Sequence, residues 1–219
     1  MNRHIRGVIL EGYSNAGKTS VLKALKLLLA EDESAERSII VLSEHYSQVL
    51  NNVHGNFQQL DRDEHLVLLQ ERVGMLRKLN EWANYLGPDA SRGSRGIFFI
   101  LERFHLNHRV AFPTASSNDI KSLENELVKL GAQCVLLTVS PEIVEQRMQS
   151  RSSQEWTNIT REEITKAADE FIHTQSELYK QSLQSDVPTI EINTDAKDWV
   201  SYANKIMAVL NETEKFSNL

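Results

Sequence analysis

The sequence is poor in the features that would staple, anchor or spread a chain. It has one cysteine in 219 residues, so no internal disulfide framework can form. That residue, Cys134, lies in the apolar run Cys134-Val-Leu-Leu-Thr-Val139 and reads as a buried small hydrophobe rather than a reactive thiol. No run approaches the roughly 18 to 20 apolar residues of a membrane span, because the densest stretch, Val21 to Ala30, is broken by Lys23 and Lys26. Near the N-terminus only Val8, Ile9 and Leu10 separate a basic segment from Glu11, which is too short for the apolar part of a signal peptide. Basic excess is also missing. The formal net charge is −6, against a broad nucleic-acid surface, which needs lysine and arginine to displace counterions. With no internal repeat and no low-complexity linker, the expectation is one domain over 1–219, cytoplasmic, with neither a nucleic-acid polymer nor a membrane as partner. Charged residues at 25% and hydrophobic residues at 41% are ordinary for a chain that folds around a core.

What is present is an alternation of short apolar runs with long helix-patterned stretches, the signature of a parallel sheet with helical crossovers. Five strands are expected: Gly7–Glu11, Ser38–Ser43, Gly96–Leu101, Cys134–Val139 and Thr189–Asn193. The first, third and fourth are nearly continuous apolar runs, as central strands covered on both faces should be, and the fifth alternates like an edge. Helices are expected over Lys18–Leu29, Asp63–Leu86, Asp119–Leu130, Pro141–Arg151, Thr160–Leu183 and Asp195–Leu210, with Trp82 and Trp199 on apolar stripes facing the core. Thr160-Arg-Glu-Glu163 has the form of a capping box. Gly87–Gly96, which holds Arg92 and Arg95, and Ser150–Asn158 around Trp156 read as mobile loops.

The residues that carry chemistry begin directly after the first strand. Gly12-Tyr-Ser-Asn-Ala-Gly17-Lys18-Thr19-Ser20 fits the phosphate-binding loop, Gly, four residues, Gly, Lys, then Ser or Thr. Backbone amides from Ser14, Asn15, Ala16, Gly17 and Ser20 can point at phosphates, the following helix offers its positive end, Lys18 reaches the terminal phosphates, and the Thr19 hydroxyl can hold Mg²⁺. A guanine-specifying Asn/Thr-Lys-x-Asp is not found, since Asn193-Thr-Asp195 lacks the lysine. Ligands of open parallel sheets bind at the carboxyl ends of the strands, which brings Glu11, Glu44 and Glu102 toward this loop. Glu44 or Glu102 can orient an acceptor hydroxyl, with Arg103 supplying positive charge, whereas Glu11 is expected only to support the turn. His45, His54, His105 and His108 lack the spacing of a zinc site.

These motifs resemble the P-loop nucleoside and nucleotide kinases. Leu101-Glu-Arg-Phe-His-Leu-Asn-His-Arg-Val-Ala-Phe112 is similar to the Glu-Arg segment of deoxyribonucleoside kinases, with Arg103, Arg109 and Phe112 at the matching spacing, and to the Asp-Arg-Tyr segment of thymidylate kinases. Val139-Ser-Pro-Glu-Ile-Val-Glu-Gln-Arg147-Met-Gln-Ser-Arg151 resembles the segment leading into the lid over the ATP phosphates, and Ile192-Asn-Thr-Asp-Ala196 the loop bordering adenine. The resemblance implies an α/β, three-layer α/β/α P-loop NTPase fold with a five-stranded parallel sheet in the order 2-3-1-4-5, and a mobile lid at about 150–159. It implies an ATP- and Mg²⁺-dependent kinase acting on a nucleoside, nucleotide or similar small acceptor. In that reading Glu44 is the base, Lys18, Arg103, Arg147 and Arg151 manage charge, and Thr19 and Glu102 serve the metal. Gly12 and its loop, with Asn193 and Asp195, then bind ATP, and Gln70, Arg72, Arg103 and Arg109 the acceptor. Related kinases often dimerise through helices beside the sheet, and Asp63–Leu86 could serve. Departures leave two alternatives: a nucleotide-binding regulatory protein with weak or no catalysis, suggested by the thin lid, and an antibiotic or other specialised-metabolite kinase, allowed by the unmatched segment Tyr46–Leu60.

Overall fold

The computed structural model describes residues 4–32, 38–53, 56–85, 96–113, 117–151 and 160–217. In chain order the elements are β1 (Ile5–Glu11), α1 (Lys18–Glu31), β2 (Ser38–Leu42), β3 (Leu50–Val53), β4 (Asn56–Gln59), α2 (Arg62–Tyr85), β5 (Ile97–Glu102), α3 (His105–Ala111), α4 (Ser117–Lys129), β6 (Ala132–Thr138), α5 (Val144–Arg151), α6 (Arg161–Ser182), β7 (Thr189–Asn193) and α7 (Trp199–Ser217). Five strands form one parallel sheet in the order β2-β5-β1-β6-β7, and β3 and β4 form a separate antiparallel pair. That small hairpin, which lies in the unmatched Tyr46–Leu60 segment, was not expected and shifts the strand numbering. Counting the strands of the large sheet alone, the order reads 2-3-1-4-5.

The period of two along each strand divides the core. Val8, Leu10, Phe98, Ile100, Val135 and Leu137 face α1 and α7, packing on Val21, Leu25, Ala203 and Ile206. Ile5, Ile9, Phe99, Leu101, Cys134 and Leu136 face the other way, toward Leu69, Val73 and Leu76 of α2 and Leu123 and Leu127 of α4. The result is three layers. β1, β5 and β6 are buried along their whole length, and each large side chain taken fully from water contributes about 1.5 to 3 kcal/mol. The hub of the sheet is therefore rigid where the carboxyl ends of β1 and β5 present their loops.

The capping box forms as expected, with Thr160 Oγ1 accepting from the Glu163 amide and the Glu163 carboxylate accepting from the Thr160 amide. Three expectations need correction. The last helix starts at Trp199 rather than Asp195, because Asn193 and Asp195 are engaged in side-chain turns and Lys197 takes a φ of 55°. Helix α3 was missed; its short run is set by a carboxylate from a different strand. Trp82 is 71% exposed rather than core. The expected loop over 87–95, including Arg92 and Arg95, lies outside the described residues, as do His54 and the 152–159 part of the lid with Trp156. Among the described residues no helix is long and apolar enough to cross a membrane.

Candidate active site

The loop between β1 and α1 takes its shape from positions that a side chain would block. Gly12 has a φ of 137°, and a Cβ there would stand 2.7 Å from the Leu137 carbonyl oxygen; Gly17 has a φ of 98°, and a Cβ would stand 2.7 Å from the Trp199 ring. Asn15 also turns through positive φ, at 71°, which asparagine tolerates better than most residues. The Ala16 amide donates to the Tyr13 carbonyl at 3.2 Å, closing the turn. No side chain caps α1 at Gly17, and although the Ser20 amide turns back to the Gly17 carbonyl at 3.0 Å, the positive end of the helix dipole faces the loop, an arrangement suited to an anion.

Lys18 is 6% exposed and folds back over the loop, donating from Nζ to the carbonyls of Gly12 at 2.8 Å and Tyr13 at 3.1 Å. Burial pushes its ammonium down to about 8, Arg103 adds to this, and the carboxylates of Glu44, Glu102 and Glu11 oppose it. Beside it, Glu102 ends β5 with 5% exposure. Burial raises its carboxyl above the ordinary range, against the pull of Lys18. Arg103 leaves the strand with a φ of 51°, and its amide donates to the Leu10 carbonyl at 3.1 Å. This turn swings the guanidinium across the cavity. Its Nη2 donates to Ser14 Oγ at 3.1 Å. Its Nε lies 2.8 Å from Glu44 Oε2, an ion pair whose N–H is not aligned as a hydrogen bond. Glu44 opens the 3₁₀ turn Glu44–Tyr46 after β2, so three strand ends meet over one glycine loop.

The opposite wall is tied to the same loop. Thr194 donates from Oγ1 to the carbonyls of Ala16 at 2.9 Å and Thr138 at 3.0 Å. Its own carbonyl accepts from Arg147 Nη2 at 2.6 Å. The Arg147 guanidinium stands 6.0 Å from the centre of the Trp199 ring. The cavity between these walls has a volume of about 350 Å³.

Of the residues expected at the site, Ser14, Asn15, Gly17, Lys18, Thr19, Ser20, Glu44, Arg103 and Arg147 line this cavity. Gly12 and Ala16 form the loop behind it, and Glu102 lies buried where Lys18, Glu44 and Arg103 act on its charge. Glu11 supports a turn, but the one after β5 rather than that of the glycine loop it was expected to support. It is 1% exposed and accepts the amides of Phe104 at 2.9 Å and Leu106 at 3.0 Å, which fixes the start of α3.

Other expected residues stand elsewhere. Arg109 is not at the cavity. It is 7% exposed and forks onto Glu124, with Nε to Oε1 at 2.6 Å and Nη2 to Oε2 at 2.8 Å. The direction of α3 turns it into the α3–α4 interface, a structural pair that linear spacing cannot distinguish from a substrate arginine. Gln70 is exposed on α2, and Arg72 spends its Nε on the Tyr46 carbonyl at 3.3 Å. Asn193 and Asp195 bind Ser140 rather than the cavity, at 3.0 Å each. The side chain of Arg151 lies outside the described residues. Missed were Ser150, Lys197 and Trp199, which also line the cavity. Trp199 was assigned to the core from its helical stripe, and the Lys197-Asp-Trp199 cluster after the last strand was the available signal. Among the described residues no three His, Cys, Asp or Glu side chains converge as a metal site.

No protein-family model matches the sequence, and no curated protein matches it. Solved structures match it in shape. The chain is similar to the YorR protein of Bacillus subtilis, solved in complex with phosphorylated GDP, with a TM-score of 0.59 and 16% identity over 95% of this chain and 98% of that one. It is also similar to a gluconokinase from Sinorhizobium meliloti 1021, with a TM-score of 0.55 and 14% identity over 100% of both chains. The likeness runs the length of the molecules and is one of fold: the protein is built on the P-loop kinase fold.

Proposed function

We propose that the protein is a phosphotransferase that moves the γ-phosphoryl group of ATP to a small acceptor of nucleoside or nucleotide type. The observation that carries this reading is the meeting of Lys18, Glu44 and Arg103 around one cavity at the carboxyl ends of β1, β2 and β5. The residues fit a triphosphate, because the loop leaves the first amides of α1 uncapped and Gly17 keeps open a space that a Cβ would close against Trp199. They fit Mg²⁺ as well: Thr19 and Glu102 offer hard oxygen donors, few enough for an ion that keeps waters and takes phosphate oxygens. The metal supplies charge neutralisation of the transferring group.

In this mechanism Lys18 releases its two loop carbonyls and donates to the terminal phosphates. Arg103 leaves Ser14 and follows the developing charge. Glu44, freed from part of its ion pair, orients an acceptor hydroxyl and takes its proton. Trp199 and Arg147 wall the far end, where the rest of the nucleotide lies.

Phosphoryl transfer from labelled ATP across a panel of hydroxyl and phosphate acceptors tests the reading. Lys18→Ala is expected to abolish transfer while the fold persists, and substantial residual turnover would refute the role. Glu44→Gln is expected to slow a hydroxyl acceptor about 10²- to 10⁴-fold; an untouched rate means a phosphate acceptor, which has no proton to give up. Nucleotide binding with no transfer to any acceptor would favour the regulatory reading.

A further inference from the structure

Behind the cavity, a line of buried polar groups runs from α3 through α2 to the end of β5. His65 on α2 is fully buried and His108 on α3 is 2% exposed. Their rings stack with centroids 5.1 Å apart and bring Nδ1 to within 3.0 Å of Nδ1. On its other side His65 Nε2 lies 2.7 Å from the Ser47 carbonyl oxygen. Ser47, itself fully buried, donates from Oγ to the Glu102 carbonyl oxygen.

The partners fix the protons. A carbonyl only accepts, so His65 carries hydrogen on Nε2, and a neutral imidazole has one N–H. Its Nδ1 is then a bare acceptor, and His108 must donate from Nδ1. Both rings are uncharged in this arrangement. Burial pushes His108 down to about 4, helped by His65, by Arg62 from α2 and by Arg109 from α3, against Glu124 from α4. Burial lowers His65 too. A second proton on His65 would set two N–H groups face to face at the Nδ1 contact. Three donations therefore run in one direction, from His108 to His65, to Ser47, to the peptide that joins Glu102 to Arg103.

Ser47 is also the residue that closes the Glu44 turn, its amide donating to the Glu44 carbonyl at 3.1 Å. A single buried serine is thus held by His65 on one side and by Glu102 on the other, while the Glu44 carboxylate faces the Arg103 guanidinium. We propose that His65 and His108 are positioning residues that lock the Glu44 turn to the Glu102–Arg103 end of β5 and so hold the acceptor side of the site in register. The proposal rests on the phosphotransferase reading above. Neither histidine touches the cavity, and each acts through Ser47.

The test uses His108→Phe, which keeps a ring and removes the donor, and His108→Asn, whose amide N–H takes the place of Nδ1–H. With transfer measured, His108→Phe is expected to lower kcat about 10- to 100-fold, the scale of a small misplacement at a reacting centre, with KM for ATP unchanged; His108→Asn is expected to restore most of kcat. Wild-type kcat in His108→Phe, or a loss in both variants that only follows their melting temperatures, overturns the proposal. Imidazole ¹⁵N spectra of the wild type give a second readout that needs no variant to fold. A proton on Nε2 of His65 and on Nδ1 of His108 at neutral pH is expected; the opposite tautomers or a charged His65 overturn the relay. If the wild type transfers phosphate to no acceptor, the functional reading falls by itself. The relay is then decided by the Arg103 Nε–H signal, which must move in His108→Phe and return in His108→Asn; no movement overturns it.

Discussion

The lysine of the phosphate loop should make nucleotide affinity depend on pH in a range where most lysine sites are silent. Burial holds the Lys18 ammonium at about 8 in the ligand-free protein, from an ordinary value of 10.5. A triphosphate brings negative charge to Nζ and raises that value, so the protonated form binds and the neutral form must first take up a proton. Affinity is then level below about pH 8 and falls about tenfold for each further pH unit, until the value in the complex is reached. At pH 9 the loss is about tenfold, or about 1.4 kcal/mol. Guanidinium groups do not deprotonate in this range. Titration calorimetry with a non-hydrolysable ATP analogue between about pH 7.5 and 9.5, in two buffers of different ionisation enthalpy, reads both the affinity and the proton uptake. Lys18→Ala should bind more weakly and with a flat profile. A flat wild-type profile without proton uptake, or the same slope in Lys18→Ala, would refute the assignment of the titration to this residue.

Two further outcomes follow from buried charges outside the cavity. Burial raises the Glu11 carboxyl from 4.5 to about 7, so its contribution is fully present below pH 4.5 and is lost as pH rises through 7; the wild type should lose about 2 to 3 kcal/mol relative to Glu11→Gln between pH 5 and 8. Urea unfolding of both proteins at the two pH values measures this, and parallel profiles would contradict it. Arg109→Met leaves Glu124 buried without its forked partner and should cost about 3 to 5 kcal/mol of stability. KM for ATP and for the acceptor should stay near the wild-type values, and a selective rise in the acceptor KM would return Arg109 to the substrate site.

The parts of the fold that were legible in the sequence are those where a local rule acts alone. The apolar runs of β1, β5 and β6 had no alternative to the middle of a sheet, and Thr160 with Glu163 capped a helix from side chains three residues apart. The phosphate loop was legible for a related reason: backbone geometry at Gly12 and Gly17 demands glycine whatever the rest of the chain does. What escaped depended on partners distant in sequence. Helix α3 begins where Glu11, more than ninety residues earlier, accepts the amides of Phe104 and Leu106. Arg109 and Arg103 looked alike in the motif, yet α3 aims one at Glu124 while the turn at the end of β5 aims the other at Glu44. Trp199 had the helical spacing of a core residue, and only the path of the loop after β7 shows that its ring rests against Gly17.

The energetic oddities of the protein gather at the same place as its motif. Lys18 is held as a buried ammonium far below its ordinary value, Glu102 as a buried carboxyl above its own, and Arg103 with a left-handed backbone that costs a residue with a Cβ about 1 to 2 kcal/mol. A chain selected for stability alone would remove all three. Their mutual charges offset part of the cost: Lys18 lowers Glu102, and Glu44 and Glu102 raise Lys18. The loop carbonyls of Gly12 and Tyr13 hold the ammonium in place of a phosphate. In the mechanism proposed above, an incoming polyanion replaces those weak acceptors with full negative charge and draws Arg103 away from Ser14. The ligand-free cavity therefore carries a formal positive centre on a protein of net charge −6.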